Sequence, residues 1–351
     1  MRPLTARLAR TRRAALLLAA FVAALSLGAA TQVNSQGSLR LIVTHTAPPL
    51  VPNSVMDLAD SLGFYRREGL KVEIVHVQST PLAIIALNLA YGDLANVSLS
   101  GAIQAAAQRA MKLRAIMSPD KTIPFLIASR QQVPSLKALE GLSLGIGGIG
   151  SLDYSMSRLV LRSLGVDAEK VRMVAVGEPH VRALSLSTGR IDATTMSTGV
   201  WNRFRSRPEL KVLLSAEDYF RAAPALNKVI AVDEATLAAK RPAIERFITA
   251  IIKASRAFEA EPGVWVDAMA AARPDVPREE LADLALSFRH NWSVNGGLDP
   301  ARVGYSIEQH YREPDFQNMR RISIDEFLDI EPTAAVLARI GIIPGHDPNA
   351  P

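Results

Sequence analysis

The sequence predicts an α/β protein built from two similar lobes. Three observations carry this. Between Leu142 and Gly177 a short apolar strand enters a glycine cluster, then a helix, then another strand, the grammar of a parallel α/β unit. A matching strand–helix–strand order lies roughly a hundred residues upstream. The chain's 351 residues suffice for about two lobes of ordinary size.

Charge and composition narrow the class. The net charge is +6, but residues 1–30 carry Arg2, Arg7, Arg10, Arg12 and Arg13 and no acid. Subtracting those five arginines leaves +1, so the basic balance belongs to the leader and gives no support to nucleic-acid binding. The leader has a basic start, an apolar run from Ala14 to Leu25 and small residues Gly28, Ala29 and Ala30. That layout predicts a signal peptide over 1–30, cleaved near Ala30 and directing the chain to the periplasm. The apolar run is short for a span of about 20 residues. Cysteine is absent, which removes disulfides, thiolate catalysis, Cys-type zinc sites and a lipidated cysteine.

The elements follow in order. Ser38–Thr44 reads as a strand ending in Thr44-His45-Thr46 and two prolines. Val55–Arg67 has helical apolar spacing and stops at Gly69. Lys71–Val77 is a strand, Pro81–Tyr91 a helix, Leu94–Val97 a strand, Gly101–Met111 a helix and Leu113–Met117 a strand. Phe125–Ser129 is a further apolar run. The strand before the glycine cluster follows, then a helix from Leu152 that Gly165 ends. Val171–Val176 then echoes Val72–Val77, Pro179–Thr188 echoes Pro81–Tyr91, and Gly189–Ser197 echoes Gly92–Ser100. Lys228–Val232 is a late strand expected to run beside Phe125–Ser129, the two crossings making a hinge. Residues 38–126 and 229–343 would form lobe 1, and 127–228 lobe 2. Helices are expected over Ala243–Glu259, Gly263–Ala272, Arg278–Asn291, Ser323–Leu328 and Pro332–Ile340, with a frayed tail over 344–351.

Several motifs compete for chemistry. Gly145-Ile146-Gly147-Gly148-Ile149-Gly150 satisfies G-x-G-x-x-G between a strand and a helix. The acid a dinucleotide site needs fits poorly, since Asp167 and Glu169 precede the next strand and Glu178 follows it late. The remaining readings are a tight structural turn or a turn that binds an anion, closed by Ser151. Gly141–Gly145 matches G-x-S-x-G, but Ser143 lies inside the strand and not at its end. The six histidines have no i, i+4 pair, and only His45 follows a strand in a polar turn.

Four segments together resemble a known family. They are Leu62–Glu73, Gly92–Asn96, Leu136–Gly141 with the glycine turn, and Leu186–Ala193. The chain resembles periplasmic solute-binding proteins of ABC importers, in the group that binds nitrate, taurine and alkanesulfonates. The resemblance implies the type II periplasmic-binding fold, two lobes closing on a small ligand, with the extra C-terminal helices appended. It implies ligand contacts in loops after strands: Thr44, His45, Thr46, Ser79, Thr80, Ser98, Ser100, Gly148, Ser151, Glu178, Thr195 and Ser197. It further implies a monomer without cofactor or catalysis that passes its ligand to a membrane permease. The wider group includes thiamine-pyrimidine synthases that rely on a cysteine-rich motif, which this chain lacks. An exported nucleotide-dependent enzyme and a ligand-sensing protein are the alternatives.

Overall fold

The computed structural model describes residues 37–108, 111–121, 125–312 and 316–346. The predicted leader and residues 347–351 of the predicted tail lie outside the described residues.

The first sheet takes β1 (Ser38–Val43), β2 (Lys71–His76), β3 (Leu94–Ser98) and β4 (Leu113–Met117) from the N-terminal half. Helices α1 (Val55–Ser61), α2 (Phe64–Arg67), α3 (Thr80–Asn88) and α4 (Leu99–Ala107) connect them. The single helix expected over Val55–Arg67 is broken at Gly63, whose φ of +74° is a left-handed conformation that glycine adopts without a Cβ penalty. The second sheet takes β5 (Phe125–Arg130), β6 (Ser143–Ile146), β7 (Arg172–Ala175), β8 (Ala193–Ser197) and β9 (Leu210–Leu214). Its helices are α5 (Leu152–Ser163), α6 (Pro179–Ser187), α7 (Thr198–Asn202) and α8 (Ala216–Ala222).

Strand β10 (Lys228–Asp233) returns to the first sheet and leads into α9 (Glu234–Ala260). After it come α10 (Pro262–Ala272), α11 (Arg278–Ser287), α12 (Pro300–His310), α13 (Ile324–Phe327) and α14 (Glu331–Ile340). Helix α9 begins nine residues before the expected start at Ala243; Pro242 leaves only a local break at Lys240, where φ is −115°.

Strand order is β2-β1-β3-β10-β4 in one sheet and β7-β6-β8-β5-β9 in the other. The two orders superpose element for element. β1 and β3 pair in parallel, as do β6 and β8. β10 runs antiparallel between β3 and β4, and β5 runs antiparallel between β8 and β9. Each antiparallel strand shifts register at a corresponding place, between Ile230 and Ala231 and between Ile127 and Ala128.

This corrects the expected hinge. β10 does not pair with β5; Val229 faces Val97 and Leu126 faces Met196, in different sheets. Both are apolar runs, buried through their middles, and both fit the centre of a sheet covered on two sides. Their sequences are equally compatible with either sheet. The chain therefore crosses between Met117 and Phe125 and again between Leu214 and Lys228. Phe125 and Leu126 belong to the second sheet and Lys228 to the first.

Helices cover both faces of each sheet. Phe247, Trp265, Phe288 and Trp292 pack with Leu41 and Val43 on one face of the first sheet. Leu87, Ile103, Val303 and Ile307 cover the other with Val97. In the second sheet Leu144, Val160, Leu161 and Tyr219 form one layer, and Ala183, Leu186 and Met196 the other. Full burial of each large side chain contributes about 1.5–3 kcal/mol. Both sheets belong to the unit that runs from Leu39 to the C-terminus. Among the described residues no helix is long and apolar enough to cross a membrane.

Candidate ligand-binding site

A cavity of about 240 Å³ lies where the two lobes and the C-terminal helices meet. The start of α4 supplies Leu99, Ser100 and Gly101; the glycine turn and α5 supply Ile149, Gly150, Tyr154 and Leu159. Ala225 and Leu226 come from the second crossing, and Ser306, Gln309 and His310 from α12. Phe316 and Met319 close one side, and Phe316 stacks on the His310 ring with centroids 3.9 Å apart. Most of this wall is apolar. Two polar atoms in it, Ser100 Oγ and His310 Nε2, are buried with no hydrogen-bond partner among the described residues. Burial holds the His310 ring neutral, with its pKa pushed down to about 4.

Helix α12 was not expected from the sequence. Its signal is there: Asp299 caps Ala301 N, Pro300 opens the helix, and Val303, Ile307 and His310 share a buried stripe. Strand β9 and helix α8 were also unforeseen.

The structure distributes the expected contact residues unevenly. Ser100 lines the cavity, next to Gly101. Ser98, Ser151 and Ser197 use their hydroxyls as helix N-caps, accepting from Gly101 N, Tyr154 N and Val200 N. Ser98 is fully buried. Thr80 Oγ1 accepts from Ser98 N at 3.1 Å, and Thr195 Oγ1 lies 2.7 Å from Ser157 Oγ, both inside their lobes. Ser79 and Glu178 precede α3 and α6 without a side-chain cap bond, and Glu178 and Thr46 are exposed. The structure thus commits most of these hydroxyls to local structure, because a strand end that starts a helix has orphan N–H groups to satisfy.

The glycine turn already holds a carboxylate. Asp153, on the first turn of α5, accepts from Gly147 N at 2.6 Å. Its other neighbour is Arg182, 3.6 Å away and also buried. Arg182 also donates to Gly177 O, Thr194 Oγ1 and Thr195 O, so one guanidinium ties the ends of β7 and β8 to the turn after β6. Gly148 sits in the same turn, where Ser151 Oγ donates to its carbonyl.

The floor of the first lobe carries charges that sequence reasoning passed over. Lys228 Nζ donates to Thr44 Oγ1 at 2.5 Å. Burial lowers the Lys228 pKa, against the opposing pull of Asp120 and Asp57; burial likewise raises that of Asp120. Asn227 Nδ2 donates to Asp120 Oδ2 at 2.6 Å, and Ser118 Oγ lies within hydrogen-bond reach of both Asp120 O and Lys228 O, with one proton to give, so the two chain crossings are stitched together. His45 Nε2 lies 2.8 Å from Asp57 Oδ2, and burial lowers the His45 pKa despite that hydrogen bond. His45 Nδ1, both Asn96 amide atoms, Asp120 Oδ1 and Asn227 Oδ1 are buried and unpartnered among the described residues. Each such orphan group in a native interior needs an explanation, and Asn96 lies in the middle of β3.

Residues 55–263 match the family described as NMT1/THI5 like. The chain belongs to that family. No curated protein sequence matches it. Solved structures align along most of its length. A Bordetella bronchiseptica protein is 17% identical with a TM-score of 0.72, over 87% of this chain and 98% of that one. The periplasmic aliphatic sulphonate binding protein SsuA of Escherichia coli is 16% identical, TM-score 0.65, over 82% and 91%. The periplasmic nitrate-binding protein NrtA of Synechocystis is 10% identical, TM-score 0.69, over 89% and 91%. At these identities the likeness is one of fold. The NMT1/THI5-like assignment and these neighbours bear out the resemblance read from the sequence and the two-lobed periplasmic-binding fold.

Proposed function

We propose that this chain is the extracytoplasmic solute-binding component of an ABC importer, and that it captures a small organic anion or heterocycle between its lobes without transforming it. The observation that carries this reading is the inter-lobe cavity with apolar walls, two of whose residues, Ser100 and His310, hold a buried polar atom without a partner among the described residues. The sulphonate- and nitrate-binding neighbours support it by fold.

The geometry favours one orientation of the solute. Two helix starts reach the cavity, but α5 carries Asp153 in its first turn and α4 carries no acid there. The partial positive charge of α4 is the uncompensated one, and it favours a negative or acceptor group by about 0.3–1 kcal/mol. Ser100 Oγ sits beside it. The apolar body of the solute then lies along Leu159, Phe316 and Met319. Nucleotide binding at the glycine turn is disfavoured, since Asp153 would face the phosphates.

A thermal-shift screen of the mature chain against alkyl and aryl sulfonates, aromatic carboxylates and pyrimidines tests the proposal. A true solute at a hundred times its dissociation constant adds about 2.7 kcal/mol of stability and raises the melting temperature. A panel with no stabilising member, alongside micromolar NAD binding, would point to the enzyme reading instead.

A further inference from the structure

His45, Asp57 and His76 meet at the ends of β1 and β2 and the start of α1, and none of them lines the inter-lobe cavity. One nitrogen or oxygen from each lies within 4.8 Å of the other two. We propose that these three side chains form a binding site for one divalent transition-metal ion of the zinc class.

The His76 tautomer argues for it. His76 Nδ1 lies 2.9 Å from the carbonyl oxygen of His45. A carbonyl only accepts, so Nδ1 carries the proton and the neutral ring keeps its lone pair at Nε2. A ring N–H held by a backbone carbonyl is the usual outer support of a metal-bound histidine. The bare Nε2 faces Asp57 Oδ1 across 3.9 Å, acceptor against acceptor. On the other side of the same carboxylate, His45 Nε2 donates to Oδ2 at 2.8 Å, so an ion bound there takes the place of that proton. Ligands about 2.0–2.2 Å from a tetrahedral ion sit roughly 3.4 Å from one another. His45 Nε2 stands 2.8 Å from Oδ2 and His76 Nε2 3.9 Å from Oδ1, one nitrogen to each carboxylate oxygen, so small side-chain rotations bring the set to that spacing. Two imidazoles and one carboxylate suit zinc and its neighbours, and leave a coordination position open. Lys228 feels the Asp57 charge but donates its ammonium to Thr44 Oγ1, and the hydrogen-bonding partner of the Asp57 carboxylate is His45. With an ion on Nε2 the His45 proton moves to Nδ1, which is buried without a partner among the described residues.

A second group, Glu259, His290 and His346, must be silenced in the test because it offers the same ligand types. The experiment is a calorimetric titration of zinc chloride into chelator-stripped His290→Ala protein, repeated with His76→Ala and with Asp57→Asn added. The site predicts one zinc per chain in the first protein and at least tenfold weaker binding in the other two. His76 is exposed, so its alanine variant should melt like its parent in the presence of a chelator; should Asp57→Asn fail to fold, His76→Ala decides alone. Absence of zinc binding to His290→Ala protein overturns the proposal, as does binding unchanged by His76→Ala. Neither result bears on solute capture, which is read with organic compounds in metal-free protein.

Discussion

Asp153 sits where the sequence suggested an external anion, accepting the Gly147 amide and facing Arg182. The glycine spacing announced a turn rich in free N–H groups, and that much was legible. It did not announce that a side chain six residues on would turn back to satisfy one of them. Arg182, on the helix after β7, is almost fully buried. Removing one partner of a buried ion pair strands the other charge and costs about 3–5 kcal/mol. Arg182→Ala should therefore lower unfolding stability by about that amount in urea titrations. His310 makes a second residue-scale prediction. Its pKa falls from 6.5 unfolded to about 4 folded, through burial. The stability it contributes is fully present above pH 6.5 and is lost as pH falls toward 4. His310→Phe should remove a loss on the order of 2–3 kcal/mol between pH 7 and pH 4, seen as a flatter pH dependence of the urea midpoint without solute.

Elements whose apolar period is long were legible; those set by partners were not. β1, β4, α10 and α14 fall within a residue or so of their expected bounds. β9 was missed because Lys211-Val212-Leu213-Leu214 is a short mixed run, although it stands to β5 as β4 stands to β10. The partner of β10 was misread because a strand buried on both faces gives no sign of which sheet receives it. The hydroxyls of Ser98, Ser151 and Ser197, expected to meet the ligand, accept helix N-cap bonds. Ser151→Ala tests this: loss of the Tyr154 N cap should cost about 1 kcal/mol in unfolding free energy, while solute affinity stays within a factor of two or three of wild type. A tenfold loss of affinity with unchanged stability would return Ser151 to the ligand.

Two sheets of identical order, each completed by a strand arriving from the other lobe, are joined by two chain crossings. The halves also touch away from those crossings: a Cβ built on Gly199 would lie 3.1 Å from Leu50 O and 3.3 Å from Leu284 Cδ2. The duplication could be read from the sequence because each lobe repeats its strand and helix spacing. The cavity could not, since its wall combines α4, α5 and α12, which lie far apart along the chain. The central claim is that solute occupies this space. The most direct measurement is a calorimetric titration of the best solute from the screen into wild-type protein and into Leu159→Trp, whose larger ring would fill the cavity from its α5 wall. Affinity at least tenfold weaker in the variant, with an unchanged melting temperature of the free protein, is the expected result. Equal affinity for the two proteins would place the solute elsewhere and contradict the account.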